Sequence, residues 1–260
     1  MRNDLPVRVD MSENGVATVT LDRPKQLNAI DPALAAGVLE AATGLMTEPT
    51  LRLVVLRGNG SSFCAGGDVL AMNAQRHDLI AFLRPLIDSF HAGVLALRRL
   101  PVPVIASVHG AIAGGGFSLA MACDLVIATR SARFVVAYPK LATSSDGGLS
   151  YFLRQRLGAV RALETLTIDG VLSSKRAHAL GLINRVAEDE TLVEETRAWT
   201  QELLAVPRYA MHEFKSLIVA QDDDALAAHL EREKTSFLRC AATAEFLDKL
   251  EAFCTRQPAL

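Results

Sequence analysis

Two short glycine-bearing segments carry the strongest chemical signal in this chain. One reads Phe63-Cys64-Ala65-Gly66-Gly67-Asp68-Val69, the other His109-Gly110-Ala111-Ile112-Ala113-Gly114-Gly115-Gly116-Phe117. Each follows an aliphatic run that reads as a buried strand, and the second leads into an apolar helix. Glycine at such places lets the main chain approach a ligand closely. A helix N-terminus adds unpaired N–H groups and the positive end of the helix dipole. Two N–H groups converging on one point form an oxyanion hole, which stabilises charge developing on a carbonyl oxygen. Taken singly, each segment also reads as a plain tight turn. A further turn, Thr143-Ser144-Ser145-Asp146-Gly147-Gly148, sets a carboxyl group just before a predicted helix over 149–156. There Asp146 reads either as an N-cap or as an acid available for chemistry.

Other chemistries lack their residues. His212-Glu213 is followed by Ser216 where a zinc-binding HExxH helix needs its second histidine, no Lys-Ser/Thr pair follows Gly115-Gly116, and no GxGxxG opens a helix. Gly116-Phe117-Ser118-Leu119-Ala120 misses the last glycine of a nucleophile elbow. Cys64, Cys123, Cys240 and Cys254 have no CxxC spacing, so neither a zinc site nor a disulfide framework is expected. A reducing, cytoplasmic setting follows as the expectation. His109 reads as turn-shaping, and His77, His178, His212 and His229 as surface or helix residues.

The elements that position these groups are those of a globular chain. It has 260 residues, half of them hydrophobic and 22% charged, enough to bury a full core without staples. Lys plus Arg number 27 against 29 Asp plus Glu, a net charge of −2 that argues against nucleic-acid binding. No secretory apolar core precedes the first strand. The apolar stretch 101–127 contains His109, a glycine triplet and Asp124, and reads as buried core, not a membrane span. Strands are predicted over 16–21, 52–57, 104–108 and 125–128. Helices are predicted from the Asp31-Pro32 start and over 79–97, the latter stopped by Pro101 and Pro103. This alternation favours parallel pairing. Beyond about residue 150 the chain turns helical, with Ser173 or Ser174 capping a segment that ends at Gly181. A short strand is expected near 182–186, then amphipathic helices over 190–204, 208–220, 224–238 and 242–253.

Together with Arg23-Pro24-Lys25-Gln26-Leu27-Asn28-Ala29-Ile30, the two glycine segments make the chain resemble the enoyl-CoA hydratase/isomerase (crotonase) family in motif order and spacing. The resemblance implies an α/β fold: a crotonase-like spiral of strand–strand–helix units over 1–190, and a helical C-terminal oligomerisation region over 191–260. It implies an acyl-CoA thioester substrate, coenzyme A being part of that substrate, with no separate cofactor and no metal. The assembly it implies is a homotrimer or a dimer of trimers. By position, the family's oxyanion donors fall on Gly67 and Gly115. Lys25, Gln26 and Leu27 line the expected coenzyme path, with Ala65, Gly66, Asp68, Val69 and Leu70. Arg256 is the tail residue expected to meet the coenzyme phosphates of a neighbouring subunit.

The resemblance also bears on the reaction. True hydratases of the family use two glutamates, whose positions fall here on Ser118 and Tyr138. Water addition needs one group to activate water and another to protonate carbon. An unperturbed tyrosine titrates at about 10, and serine is no better, so isomerisation is expected over hydration. Two branches of the family place an aspartate at Asp146. In the phenylacetate-pathway isomerases the acid shuttles a proton between carbons. In 4-chlorobenzoyl-CoA dehalogenase the aspartate attacks the ring and a histidine then activates water. That histidine falls on His91, and an aromatic that packs on the ring falls on Tyr138, where the dehalogenase has tryptophan. The pair Gly67-Asp68 follows hydratases and isomerases instead. The expectation is double-bond isomerisation with Asp146 as acid/base. The alternatives are a dehalogenase-like hydrolysis with Asp146 as nucleophile and His91 as base, an atypical hydratase, and a non-catalytic acyl-CoA binder.

Overall fold

The computed structural model describes residues 5–219 and 223–256. The chain opens with an antiparallel pair, β1 (Val7–Met11) and β2 (Val16–Leu21). The first of these strands was not expected, because its alternation of apolar and charged residues is short and mostly exposed. Helical crossovers follow. α1 (Pro32–Met46) leads to β3 (Leu53–Gly58), and α2 (Val69–Ala74) with α3 (Leu79–Arg99) leads to β4 (Val104–Val108). β5 (Ala111–Ala113) and α4 (Gly115–Ala122) come next, then β6 (Leu125–Thr129) and β7 (Arg133–Val135). α5 (Leu149–Glu164), broken at Gly158, precedes β8 (Val171–Ser173), α6 (Ser174–Ala179) and β9 (Arg185–Ala187). Four helices close the described chain: α7 (Leu192–Leu204), α8 (Arg208–Val219), α9 (Asp223–Ala241) and α10 (Ala244–Arg256).

The larger sheet has the order β1-β2-β3-β4-β6-β9 and is parallel from β2 onward. Parallel strands are covered on both faces, which is why β4 reads Val-Ile-Ala-Ser-Val and is buried throughout. A smaller sheet, β5-β7-β8, runs beside it. Isolated bridges Ile30↔Gly67 and Cys64↔Ile112 extend the same stacking to the segments after β2 and β3. Successive turns of the chain therefore lie one on another as a spiral. The stacking brings the two glycine segments, 47 residues apart at Gly67 and Gly114, into contact. A Cβ at Gly66 (φ +93°) would lie 2.7 Å from the Ala113 carbonyl oxygen, so only glycine permits the approach.

Local signals placed most helix ends correctly. Asp31 caps α1 by accepting the Leu34 N–H at 2.8 Å, with Pro32 at the first helical position, and also pairs with Arg23 at 3.0 Å. We expect Asp31→Ala to destabilise the fold by about 1 kcal/mol through the lost cap, read as a lowered calorimetric midpoint; an unchanged midpoint would show that water replaces the cap. Ser173 accepts the Arg176 N–H to cap α6, and Gly181 follows that helix in the left-handed region at φ +75°.

The stretch 101–127 forms β4, β5, α4 and the start of β6, all within the core. Among the described residues one helical stretch, Arg76–Arg99, is long and apolar enough to cross a membrane, and half of its most apolar window is buried. Side chains of α9 and α10, including Leu226, Leu230, Phe246 and Leu250, join the same apolar core as α3 and α4. Cys64 and Cys123 are enclosed in that core, and burial pushes both thiols up to about 12. We expect both to resist alkylation in the folded protein at pH 8, while half-buried Cys240 and Cys254 react first. Mass mapping of iodoacetamide adducts checks this, and native labelling of Cys64 would contradict it.

Candidate active site

A cavity of about 120 Å³ opens where the glycine segments meet the N-terminal half of α3. Its wall is apolar: Ile30, Val69, Met72, Leu83, Leu86, Ile87, Phe90, Leu141, Phe237 and Phe253. Ala65, Gly66, Gly67, Gly114 and Gly115 form the main-chain side, and Tyr138, Lys140, Thr143 and Asp146 supply the polar groups. Leu83, Leu86, Ile87 and Phe90 share one face of α3 at spacings of three and four residues.

Gly67 and Gly115 both border this cavity. The bridge beside Gly67 uses Ile30 N–H to Gly66 O and Asp68 N–H to Ile30 O, which leaves the Gly67 N–H without a protein acceptor. Gly115 is the first residue of α4, and the first ladder bond there runs from Ser118 N–H to Gly114 O. Its N–H is therefore unpaired as well, as the first N–H groups of any helix are. Two unpaired main-chain donors on one apolar cavity suit an oxyanion.

Asp146 does not cap a helix. α5 begins after Gly148, which has φ +85° and offers no side-chain cap. The Asp146 carboxylate turns inward instead, with Oδ1 2.6 Å from His91 Nε2. His91 is only 4% exposed, and its Nδ1 is enclosed without a partner. A buried N–H without an acceptor costs more than an idle lone pair. The proton is therefore assigned to Nε2, which donates to Oδ1, with the Gly147 N–H 3.3 Å from the same nitrogen. Oδ2 accepts nothing from the described residues, and Asp146 lines the cavity. The two oxygens thus differ: Oδ1 is held and Oδ2 is left without a partner among the described residues. The turn needs glycine at 147, where φ is +64° and a Cβ would lie 2.4 Å from Phe90 Cε1.

The rest of the Asp146 turn is gripped from both sides. Ser118 Oγ donates to the Asp146 carbonyl at 2.6 Å and Tyr138 OH at 2.9 Å. The positions that matched hydratase glutamates thus hold hydroxyls that fasten the main chain of the acid. Burial, followed by the Asp146 charge, pushes the Tyr138 phenol well above its ordinary value, so it stays a neutral donor. On the other side Glu233 of α9 accepts the Gly148 N–H at 2.6 Å, the Ser150 N–H at 3.1 Å and the Ser145 hydroxyl at 3.0 Å. It also accepts the Ser150 hydroxyl, and His229 Nε2 lies 2.7 Å from that hydroxyl oxygen. Burial raises the proton affinity of Glu233, but hydrogen bonds from His229, Ser150 and Gly148 outweigh it and hold the carboxyl below its usual range. His91, Asp146 and Glu233 are close enough to share a metal ion. Asp146 Oδ1 and both Glu233 oxygens already accept N–H and O–H groups, so the donor set reads as a hydrogen-bonded network.

The structure brings Gly67, Gly115, Asp146, Tyr138, Ala65, Gly66 and Val69 to one cavity, with His91 directly behind Asp146. Lys25, Gln26 and Leu27 lie exposed on a 3-10 turn, and Leu70 is also exposed. Asp68 caps α2 through the Ala71 N–H and faces Arg23 at 3.7 Å, so its carboxylate serves the fold. Arg256 ends α10, and its side chain lies outside the described residues. Glu233, Phe237 and Phe253 were missed because nothing local in their helices marks them as facing a cavity assembled from earlier segments. His229, expected to be a surface or helix residue, is half-buried beside Ser150. Asn28 was quoted only as part of a motif. It is fully buried, and its amide donates to the carbonyls of Asn59, Ser62 and Phe63, tying the first motif to the glycine turn.

The profile of the enoyl-CoA hydratase/isomerase family matches residues 11–259. The 1,2-epoxyphenylacetyl-CoA isomerase of Escherichia coli K12 is 31% identical over 246 residues, 94% of each chain. The 4-chlorobenzoyl coenzyme A dehalogenase-2 of an Arthrobacter species is 27% identical, covering 94% of this chain and 89% of the relative. Among solved structures, an enoyl-CoA hydratase from Bacillus halodurans superposes with a TM-score of 0.88 at 26% identity, covering 95% of this chain and 99% of the other.

Proposed function

Because this chain belongs to the enoyl-CoA hydratase/isomerase family and is an acyl-CoA enzyme, we propose that its reaction is double-bond isomerisation with Asp146 as both acid and base. The observation that carries this reading is the divided carboxylate of Asp146. Oδ1 is fixed by His91, Oδ2 accepts nothing from the described residues, and Asp146 lines a cavity bordered by two unpaired glycine N–H groups. Asp146 is the single carboxylate among the described residues lining that cavity, where water addition calls for two groups in different roles. Oδ2 takes a proton from a carbon beside the double bond of an unsaturated acyl thioester. The electron pair moves through the double bond onto the thioester oxygen, which the N–H groups of Gly67 and Gly115 hold as an enolate. The protonated Asp146 returns the proton to the far carbon, so the double bond moves and no atom is gained or lost. No separate cofactor takes part.

His91 borders no part of the cavity and its Nδ1 is enclosed, which supports a holding role over activation of water. The apolar wall supports an uncharged hydrocarbon or aryl acyl group, in keeping with the ring-bearing acyl groups in the relatives' names. The coenzyme runs outward past Ala65, Val69 and the exposed Lys25-Gln26-Leu27 turn. We propose a homotrimer or dimer of trimers in the cytoplasm; the exposed apolar side chains of Tyr209, Phe214, Leu217 and Ile218 on α8 support self-association.

The test is mass spectrometry of 2-enoyl, 3-enoyl, ring-unsaturated and 4-halobenzoyl thioesters incubated with the protein in heavy water. Deuterium gained on carbon without added water is the expected result. Gain of one water, or exchange of halide for hydroxyl, would overturn the isomerase reading in favour of hydration or of Asp146 as a nucleophile.

A further inference from the structure

The turn that carries Asp146 belongs to no helix or strand, and its two glycines adopt left-handed conformations. Its carboxylate side is fixed by His91 and its carbonyl by Ser118 and Tyr138. Its main-chain N–H groups at 148 and 150 have one partner, Glu233. We propose that Glu233 is a positioning residue for the reaction: its carboxylate sets the main-chain path of residues 145–150 and so the direction in which Asp146 Oδ2 meets the acyl group. This rests on the reading of Asp146 as acid and base.

A carboxylate only 5% exposed is costly unless its oxygens are fully hydrogen-bonded. Every donor that satisfies Glu233 comes from the turn at 145–150, apart from the flanking His229. Such a group is an expensive way merely to fill space, and packing α9 on α3 already has Leu226, Leu230 and Phe237 for that purpose. Its effect is to hold Gly147-Gly148, a conformationally permissive pair, in a single conformation. One helical turn beyond Glu233 on the same face, Phe237 forms part of the cavity wall. The helix that feels the acyl group is thus the helix that aims the acid, which makes α9 a link between acyl fit and turnover.

Glu233→Gln tests this. The substitution keeps the size of the side chain but turns an NH2 toward donors that need an acceptor. A displacement of about 1 Å at a reacting group costs about 10²-fold, so we expect kcat to fall by about that factor with KM for the acyl thioester unchanged. Hydrogen exchange of the amides at 145–150 is expected to quicken, a readout that does not depend on turnover. Asp146→Asn is measured alongside. An active Asp146→Asn would sink the reading of Asp146 and this proposal with it. An inactive Asp146→Asn beside a Glu233→Gln variant of unchanged kcat and unchanged exchange would overturn the role of Glu233 alone. A raised KM with unchanged kcat would also overturn it, assigning Glu233 to binding. Should Glu233→Gln fail to fold, the double variant Ser145→Ala/Ser150→Ala removes two donors while leaving the carboxylate buried. The same fall in kcat is expected from it, and full kcat would be fatal to the proposal.

Discussion

Asp146→Asn is expected to lose turnover by about 10²–10⁴-fold, the usual contribution of a general acid–base group, while binding acyl-CoA as the parent does. The His91 Nε2 proton requires an acceptor at the Oδ1 position, so the asparagine presents its oxygen there and its NH2 at the Oδ2 position. The amide fits the same space, and the grip of Ser118 and Tyr138 on the main-chain carbonyl is untouched. What disappears is a group able to take a proton from carbon. The cavity wall and the Gly67 and Gly115 donors remain, so affinity for a saturated acyl-CoA, measured by titration calorimetry, should not change. Retained turnover would remove Asp146 from the chemistry, and lost affinity would show that the carboxylate serves binding.

Gly115→Pro is expected to cost about 10²–10³ in kcat, the usual loss when one oxyanion donor is removed. A main-chain donor cannot be deleted by ordinary side-chain substitution, but position 115 allows it. It is the first helical residue of α4, where proline is well tolerated because the N–H lacks a ladder partner. The added Cβ would lie 2.8 Å from Ile30 Cδ1, the end of a flexible side chain, so a small movement accommodates it. Unchanged thermal stability with reduced kcat would isolate the lost N–H. Unchanged kcat would mean that the thioester oxygen lies elsewhere.

Much of the fold was legible because its signals are local. The Asp31-Pro32 start, the Ser173 cap, the Gly181 stop and the aliphatic strands β2, β3, β4 and β6 each depend on neighbours within a few residues. β1 escaped notice because a short, half-exposed edge strand becomes recognisable only through its pairing with β2. The glycine segments were legible as candidate donors, since a conformation open only to glycine leaves its mark in the residue type. Their convergence was not, because it depends on stacking of successive chain turns at Ile30↔Gly67 and Cys64↔Ile112.

Asp146 shows the division most clearly. From its neighbours alone, Asp146 before Gly147-Gly148 and a helix is equally well a cap or an acid. The sequence by itself determined the residue types, the helix and strand periods, the glycine turns and the presence of one carboxylate in the right region. Tertiary structure decided that this carboxylate faces His91, 55 residues earlier, and that its turn is held by Glu233, 85 residues later than Gly148. Hydrogen bonds across such separations leave no trace in local spacing. They arise because the apolar faces of α3 and α9 pack on a common core, which brings two polar side chains into a place where an unpaired polar group would be costly.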